Sequence, residues 1–175
     1  GWDGETPAEV SDEVAVEEIG NVRKISCPIS EQDYAEYYVG YANSVLWPLF
    51  HYRLDLVSYE PAFFEGYCRV NERFAARLVE FLEPDDAIWV HDYHLIPFGG
   101  CLRRRGCRQR IGFFLHIPFP PPDLLSASPN YKELVDALLQ YDVIGFQTHT
   151  DLGNFRRFIE HHTDAELLDD GTIRA

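Results

Sequence analysis

Methionine is absent from the 175-residue sequence, even at position 1. Because translation starts at methionine, we expect the chain to be processed or to be a piece of a longer protein. The opening segment GWDGETPAEV has no basic start and no apolar run, which excludes a secretory signal at this end. No apolar run approaches the roughly 18 residues of a membrane span. We therefore expect a cytoplasmic protein that does not have a membrane as a partner.

Basic residues are also few, since 15 Lys and Arg face 29 Asp and Glu, for a formal net charge of −14. Nucleic-acid binding needs clustered Lys and Arg that release counterions, so nucleic acid is not an expected partner. Residues 1–20 hold seven acids and no base and are predicted to be a solvated loop. The single basic cluster, at 103–110, follows an apolar helical stretch and is interpreted as a helix C-terminus.

Motifs for metals and nucleotides are missing. The four cysteines, Cys27, Cys68, Cys101 and Cys107, form no CxxC pair and are predicted to be reduced thiols rather than zinc ligands. Neither GxGxxG nor GxxxxGKS/T occurs, so the chain has no dinucleotide fingerprint and no P-loop.

Short apolar runs alternate with helical patterns in the second half of the chain. The runs at 87–90, 111–115 and 143–146 have the continuous hydrophobicity of buried parallel strands. Helices are predicted around 34–47, 61–81, 95–105, 122–126 and 131–140 and from about 150 onward, with a short strand at 22–29. This alternation predicts an α/β fold, a Rossmann-like parallel sheet with helices on both faces.

Ligands bind beyond the carboxyl ends of the strands in such sheets, which selects the polar residues after each run. These are His91, Asp92, His94, His116, Gln147 and Thr148. A carboxylate such as Asp92 can accept a hydrogen bond from a sugar hydroxyl or act as a base, but it can equally cap the next helix. A metal site built from His91, His94 and His116 is the weaker interpretation, because residues three apart at a strand end do not reliably face one point.

Two further features point toward a binding site. His116 opens the segment HIPFPPP, whose four prolines stiffen the backbone and preorganise the histidine, although a rigid connection alone would look the same. The helix at 34–47 carries Tyr34, Tyr37, Tyr38, Tyr41 and Trp47. Most of these rings are expected in the core, and some are expected to face a polar ligand.

Six segments in this order and spacing resemble the trehalose-6-phosphate synthase family. They are GWDGE at 1–5, YYVGYANSVLWPLFHYR at 37–53, VN at 70–71, WVHDYHLIPF at 89–98, RIGFFLHIPFP at 110–120 and YDVIGFQT at 141–148. The resemblance implies a retaining glycosyltransferase of the GT-B architecture. It would transfer glucose from UDP-glucose to glucose 6-phosphate, giving α,α-trehalose 6-phosphate and UDP, without a metal or other cofactor.

The resemblance also implies roles for individual residues. Asp92 would contact acceptor hydroxyls at the reaction centre, and His116 would contact the donor glucose near its 6-hydroxyl. The acceptor site would include Trp2, Tyr38 and Trp47.

The resemblance places Tyr93 beside these residues with a less defined role. Residues 1–175 would form part of the N-terminal, acceptor-side domain, without the opening strand and without the donor domain. Such a segment alone is expected to be inactive.

Alternatives remain open at this point. A related synthase with another phosphorylated acceptor, such as glycerol 3-phosphate, shares much of the chemistry. A non-catalytic module that binds a sugar phosphate and a metal-dependent hydrolase are the other candidates. The sequence allows a homo-oligomer without indicating one.

Overall fold

The computed structural model describes residues 14–174, so Trp2 lies outside the described residues. The described part of the chain begins with an antiparallel hairpin of β1 (Ala15–Ile19) and β2 (Val22–Ser26). Gly20 forms its turn with a φ of 65°, a conformation that glycine adopts without strain.

The hairpin corrects the prediction of a loop over residues 1–20, which is wrong for 15–19. Its strands are exposed, and two cross-strand ion pairs, Glu17 with Lys24 and Glu18 with Arg23, lie on its surface. Acids that look like a solvated run in the sequence therefore have basic partners on the next strand.

A continuous helical segment follows, made of α1 (Glu31–Asp33), a π-helix (Tyr34–Leu46) and α2 (Trp47–Phe50). Ser30 caps it, because its Oγ accepts from the Asp33 N–H at 3.0 Å. The segment runs past the predicted end at Trp47-Pro48, and Pro48 stands where the π-helix passes into α2. The Ser44 carbonyl, four residues before this proline, accepts from the Ser58 N–H at 2.9 Å.

The remaining elements alternate helices with strands. In chain order they are α3 (Pro61–Leu78), β3 (Ala87–His91), α4 (Phe98–Arg104), β4 (Arg110–Phe114), α5 (Pro122–Leu125), α6 (Tyr131–Leu138), β5 (Val143–Gly145), α7 (His149–His162), β6 (Glu166–Leu167) and β7 (Ile173–Arg174). Short 3₁₀ turns occupy Leu54–Leu56, Val79–Phe81 and Tyr93–Leu95. The last two strands form a small antiparallel pair.

The central sheet has the order β3-β4-β5 with all three strands parallel, which confirms the predicted α/β class and parallel sheet. One sheet face enters the buried core through Ile88, Val90 and Phe113. The opposite face carries Trp89, which is 53% exposed and lies over Gly112. A Cβ at Gly112 would lie 2.2 Å from the indole, so only glycine fits beneath that ring.

The predictions for the cysteines and for the start of the basic cluster agree with the structure. All four cysteines are free thiols. Arg103 and Arg104 of the basic cluster stand in the last turn of α4, and Arg103 Nη1 donates to the carbonyls of Cys107 and Gln109 at 3.1 and 2.8 Å. Within residues 14–174, none of the helices combines the length and the apolar character that crossing a bilayer requires.

Candidate active site

Asp92 follows β3 in a conformation that is rare for a residue with a side chain. Its φ is 73° and its ψ is 165°, a region populated almost only by glycine. The surroundings hold it there, because its N–H donates to the Phe114 carbonyl at 2.9 Å and its carbonyl accepts from the Leu95 N–H at 3.0 Å. Strain retained at a strand end is typical of a functional position.

The carboxylate of Asp92 bridges the ends of two neighbouring strands. Its Oδ1 accepts from the Tyr93 N–H at 3.0 Å and from the His116 N–H at 3.3 Å. Oδ2 accepts no hydrogen bond from the residues that the structure describes, so it is available to a ligand. The helix-capping role and the binding role considered for Asp92 are therefore compatible, because each uses a different oxygen.

The imidazoles of His91 and His116 also meet at this edge. His91 Nδ1 and His116 Nε2 are 2.9 Å apart, and both side chains are exposed. The strand register explains the contact, since His91 pairs with Phe114 and His116 lies two residues further along the same face.

The 3₁₀ turn after Asp92 is anchored by polar contacts from two helices. Tyr93 donates from its hydroxyl to Asn43 Oδ1 of the π-helix at 2.9 Å. Asn71 of α3, which is fully buried, donates to the His94 carbonyl at 3.1 Å, and the Tyr67 hydroxyl donates to the Tyr93 carbonyl. Burial, and secondarily the charge of Asp92, raises the pKa of Tyr93, so its hydroxyl stays protonated and donates.

The π-helix places widely spaced side chains on one side. Apart from Gly40, its buried positions, Tyr37, Tyr41, Ala42, Val45 and Leu46, recur at intervals of four to five residues. At roughly 4.4 residues per turn, the i→i+5 bonding pattern brings positions nine apart back to the same side, whereas an α-helix places them on opposite sides. Tyr38 and Trp47, nine residues apart, therefore share a side, with Asn43 between them. This side of the π-helix is accessible to solvent, since Tyr38 is only half-buried and Trp47 is 43% exposed.

His94 does not join the histidine pair but belongs to an aromatic stack. Its ring lies 5.4 Å from that of Tyr38 with planes 14° apart, and 4.0 Å from that of Tyr93. Tyr34 extends the stack beyond Tyr38 at 5.4 Å. Burial lowers the pKa of His94, against the opposing effect of the Asp92 charge, so the imidazole serves as a neutral packing group.

The proline-rich loop after His116 is fixed at Phe119. Asp151 of α7 accepts from the Phe119 N–H at 2.9 Å, and Asn154 donates to its carbonyl at 2.8 Å. Thr148 caps α7 and donates to Asp151 at 2.6 Å, which orients the carboxylate. The predicted stiffness of the loop therefore has a second source in buried polar contacts.

A scan of known protein families gives a match along almost the whole chain. The sequence profile of glycosyltransferase family 20 matches residues 1–173. The chain belongs to glycosyltransferase family 20.

Named relatives and solved structures of similar proteins agree with this assignment. The chain is 46% identical, over its full length, to the trehalose-6-phosphate synthase of Klebsiella pneumoniae. It superposes with a TM-score of 0.96 and 49% identity on a UDP-forming α,α-trehalose-phosphate synthase of Burkholderia xenovorans, with all of this chain and 39% of that one covered.

Two ligand complexes are also similar. A Burkholderia xenovorans synthase structure in complex with glucose 6-phosphate gives a TM-score of 0.94 at 46% identity, covering 99% of this chain and 38% of that one. The Escherichia coli enzyme bound with UDP-2-fluoro glucose gives a TM-score of 0.92 at 45% identity, covering 97% of this chain and 38% of that one. The chain spans 37% of the Klebsiella pneumoniae relative.

Within this family 20 chain, the structure brings together some of the predicted site residues and separates others. Asp92, Tyr93 and His116 meet at the ends of β3 and β4, and Tyr38 joins them through His94. Thr148 serves as a helix cap, and Gln147 is exposed at the end of β5. In the described part of the chain, no three His, Cys, Asp or Glu side chains are grouped to hold a metal ion.

A hollow in the described part of the chain lies away from these groups. It measures about 520 Å³ and is lined by the edge of β5, by α7 and by the β6–β7 hairpin, through residues such as Val143, Phe155 and Ile173. We place the candidate site of this family 20 chain at the ends of β3 and β4 instead, because the carboxylate, the imidazoles and the strained backbone are there.

Several contributors to the site were not singled out in the sequence. They are Asn43, Asn71, Asp151 and Asn154. Asn71 stands in VN, one of the segments that resemble the family, and nothing else in the sequence indicated that Asn71 contributes to the site. Asp151 and Asn154 act on a loop more than thirty residues away in sequence, a contact that local pattern does not reveal.

Proposed function

We propose that the protein transfers glucose from UDP-glucose to glucose 6-phosphate with retention, forming α,α-trehalose 6-phosphate and UDP. The observation that carries the proposal is the bridge from Asp92 Oδ1 to the His116 N–H, which sets a carboxylate and an imidazole side by side at the ends of β3 and β4. Membership of family 20 and the names of its relatives support the same reaction.

The acceptor would lie on the exposed side of the π-helix. Tyr38, whose ring is stacked between those of Tyr34 and His94, would offer its edge to a sugar, and Trp47 would offer the ring face that His51 leaves uncovered. Trp2 would complete this surface. Asp92 Oδ2, free of other donors in the described chain, would accept from acceptor hydroxyls, and Tyr93 would support the turn that presents it. The complex of a Burkholderia xenovorans relative with glucose 6-phosphate supports this choice of acceptor.

The 6-hydroxyl side of the donor glucose would lie against His116. The Escherichia coli complex with UDP-2-fluoro glucose supports a UDP-sugar as the class of donor. The anomeric oxygen of glucose 6-phosphate forms the new bond to donor C1. The C1–O bond to UDP breaks, and the departing phosphate oxygen takes the electron pair and then the acceptor proton. Attack on the face that UDP leaves preserves the configuration. The protein contributes orientation and fixed polar groups rather than a covalent step.

Residues 1–175 would supply the acceptor side of this reaction, and a nucleotide-binding domain would supply the other. The chain covers 37% of its Klebsiella pneumoniae relative, which supports this division. We also propose that the protein acts in the cytoplasm, where nucleotide sugars and sugar phosphates are made.

The test uses the protein expressed from its complete open reading frame. It is incubated with UDP-glucose and either glucose 6-phosphate or glycerol 3-phosphate, and products are identified by mass spectrometry. We expect trehalose 6-phosphate and UDP in equal amounts from the first acceptor only. Product from glycerol 3-phosphate alone would establish the related synthase, and binding of glucose 6-phosphate without turnover would establish a non-catalytic module.

Asp92→Asn is the informative variant and Asp136→Asn, on the exposed face of α6, its matched control. Asp92→Asn should lower kcat by roughly a hundredfold or more while the KM for UDP-glucose stays within about threefold. An equal loss in affinity for UDP would contradict the role given to Asp92.

A further inference from the structure

His91 is a side chain at the site that the proposed reaction does not use. Its Nδ1 lies 2.9 Å from His116 Nε2, with ring centroids 5.1 Å apart. At this distance one nitrogen carries the hydrogen and the other accepts it. His116 Nε2 is therefore occupied, and Nδ1 is the nitrogen of His116 that remains open to a ligand.

Stability gives little reason for the contact. Both imidazoles are exposed, and a hydrogen bond in water contributes little to folding. Within residues 14–174, the other side chains that contact the two imidazoles are rings, with Trp89 edge-on to His91 at 6.2 Å and Phe114 at 4.8 Å from His116. These rings limit where the imidazoles lie but cannot select which nitrogen carries the hydrogen.

The backbone of His116 is already fixed by Asp92, and the loop beyond it is fixed at Phe119. The remaining freedom is the rotation and the tautomer of the imidazole. His91 constrains both, because a hydrogen bond to Nε2 sets the ring orientation and determines whether Nδ1 donates or accepts.

We propose that His91 is a positioning residue that orients His116 and fixes its tautomer, so that Nδ1 faces the donor sugar. This inference rests on the proposed function, because it assigns His116 a sugar to face. It predicts that a side chain with a polar atom at the place of Nδ1 can replace His91.

The kinetic test compares three variants of the protein made from its complete open reading frame. In His91→Asn the amide lies where Nδ1 was, in His91→Gln it lies one bond further out, and in His91→Ala it is missing. We expect kcat/KM for UDP-glucose to fall about tenfold in His91→Ala and His91→Gln and to stay within about threefold of the original in His91→Asn. The KM for glucose 6-phosphate should be unchanged, as should all constants of the control His161→Ala at the exposed end of α7.

A double-mutant cycle with His116→Ala sharpens the test. If His91 acts through His116, removing both side chains should cost no more than removing His116 alone. Additive losses, or equal losses in His91→Asn and His91→Ala, would overturn the proposal.

The spectroscopic test needs no turnover. Protein labelled with ¹⁵N-histidine shows the ring nitrogens, and His116 is identified by its absence in His116→Gln. Its Nε2 signal should move in His91→Ala and stay in place in His161→Ala. An unmoved signal would refute the role of His91, whereas an inactive original protein would refute the proposed function.

Discussion

The Tyr93 hydroxyl donates to Asn43 Oδ1 across 2.9 Å and so joins the turn after β3 to the π-helix. The two residues are fifty positions apart in sequence, and each belongs to a different half of the candidate site. Asp92 lies next to Tyr93, and Tyr38 and Trp47 share the side of Asn43. This bond therefore sets the spacing between the carboxylate and the aromatic side of the π-helix, which we propose as the acceptor surface.

Tyr93→Phe should lower the free energy of unfolding by about 1 kcal/mol, because it removes one partly buried hydrogen bond and leaves the packing. The KM for glucose 6-phosphate should rise more than kcat falls. Urea unfolding and initial rates measure the two effects. Tyr131→Phe, which changes a half-buried tyrosine of α6, is the control. A double-mutant cycle of Tyr93→Phe with Asn43→Ala that shows no coupling would contradict the spacing role.

Asp92→Gly should be more stable than Asp92→Ala by about 1 to 2 kcal/mol. Both variants lose the carboxylate, but only glycine accepts a φ of 73° with a ψ of 165° without strain. Thermal or urea unfolding compares them directly, and both should be inactive. Equal stability would show that the conformation relaxes when the carboxylate is removed.

His94 gives a prediction for pH dependence. Burial lowers its pKa in the folded protein below the unfolded value of 6.5. The unfolded chain therefore binds the proton more readily, so this stabilising contribution is complete above pH 6.5 and is lost as the pH falls toward the folded pKa. His94→Phe keeps a ring in the stack and cannot titrate.

The stability of His94→Phe relative to the original protein should therefore rise between pH 7 and pH 5.5, with a slope below about 1.4 kcal/mol per pH unit. Urea unfolding at several pH values measures the difference. His161→Gln, on the exposed end of α7, should show no such trend. A constant difference across the range would mean that His94 does not titrate on unfolding as described.

Gly40→Ala should destabilise the protein by about 1 to 3 kcal/mol. A Cβ there would lie 2.6 Å from Phe63 Cδ1 of α3 and 2.9 Å from the Ala35 carbonyl oxygen, so the π-helix could not approach α3 as closely. Gly153→Ala on α7 is the matched control. A Cβ at Gly153 meets nothing within 4 Å, so this variant should gain up to about 1 kcal/mol from helix propensity. Equal effects of the two substitutions would contradict this packing argument.

The sequence predicted the three parallel strands to within one residue at each end, because continuous apolar runs between charged or polar boundaries have few alternatives. β1 was missed, because Val16 and Ile19 are exposed and its acids find their partners only when β2 is beside them. The helix at 34–47 was predicted as such, but its π register was not. Its apolar side chains stand at 34, 37, 38, 41, 45 and 46, and these spacings are also typical of an ordinary α-helix.

The strand-end rule brought Asp92 and His116 to one edge from the sequence alone, and the structure agrees with that placement. The contact of His91 with His116 was not predicted, because it depends on which residue of β4 pairs with His91. The anchoring of Phe119 by Asp151 and Asn154 depends in the same way on where α7 packs. Residues that act through distant partners become visible only once the register and the packing are known.

The unusual backbone at Asp92 also bears on how the protein can diverge. One base change converts an aspartate codon to a glycine codon, and glycine is the residue best suited to that backbone. A lineage freed from selection for turnover can therefore discard the carboxylate in a single step and keep an intact domain. Homologues with glycine at this position should be well-folded proteins that do not carry out the proposed glucose transfer.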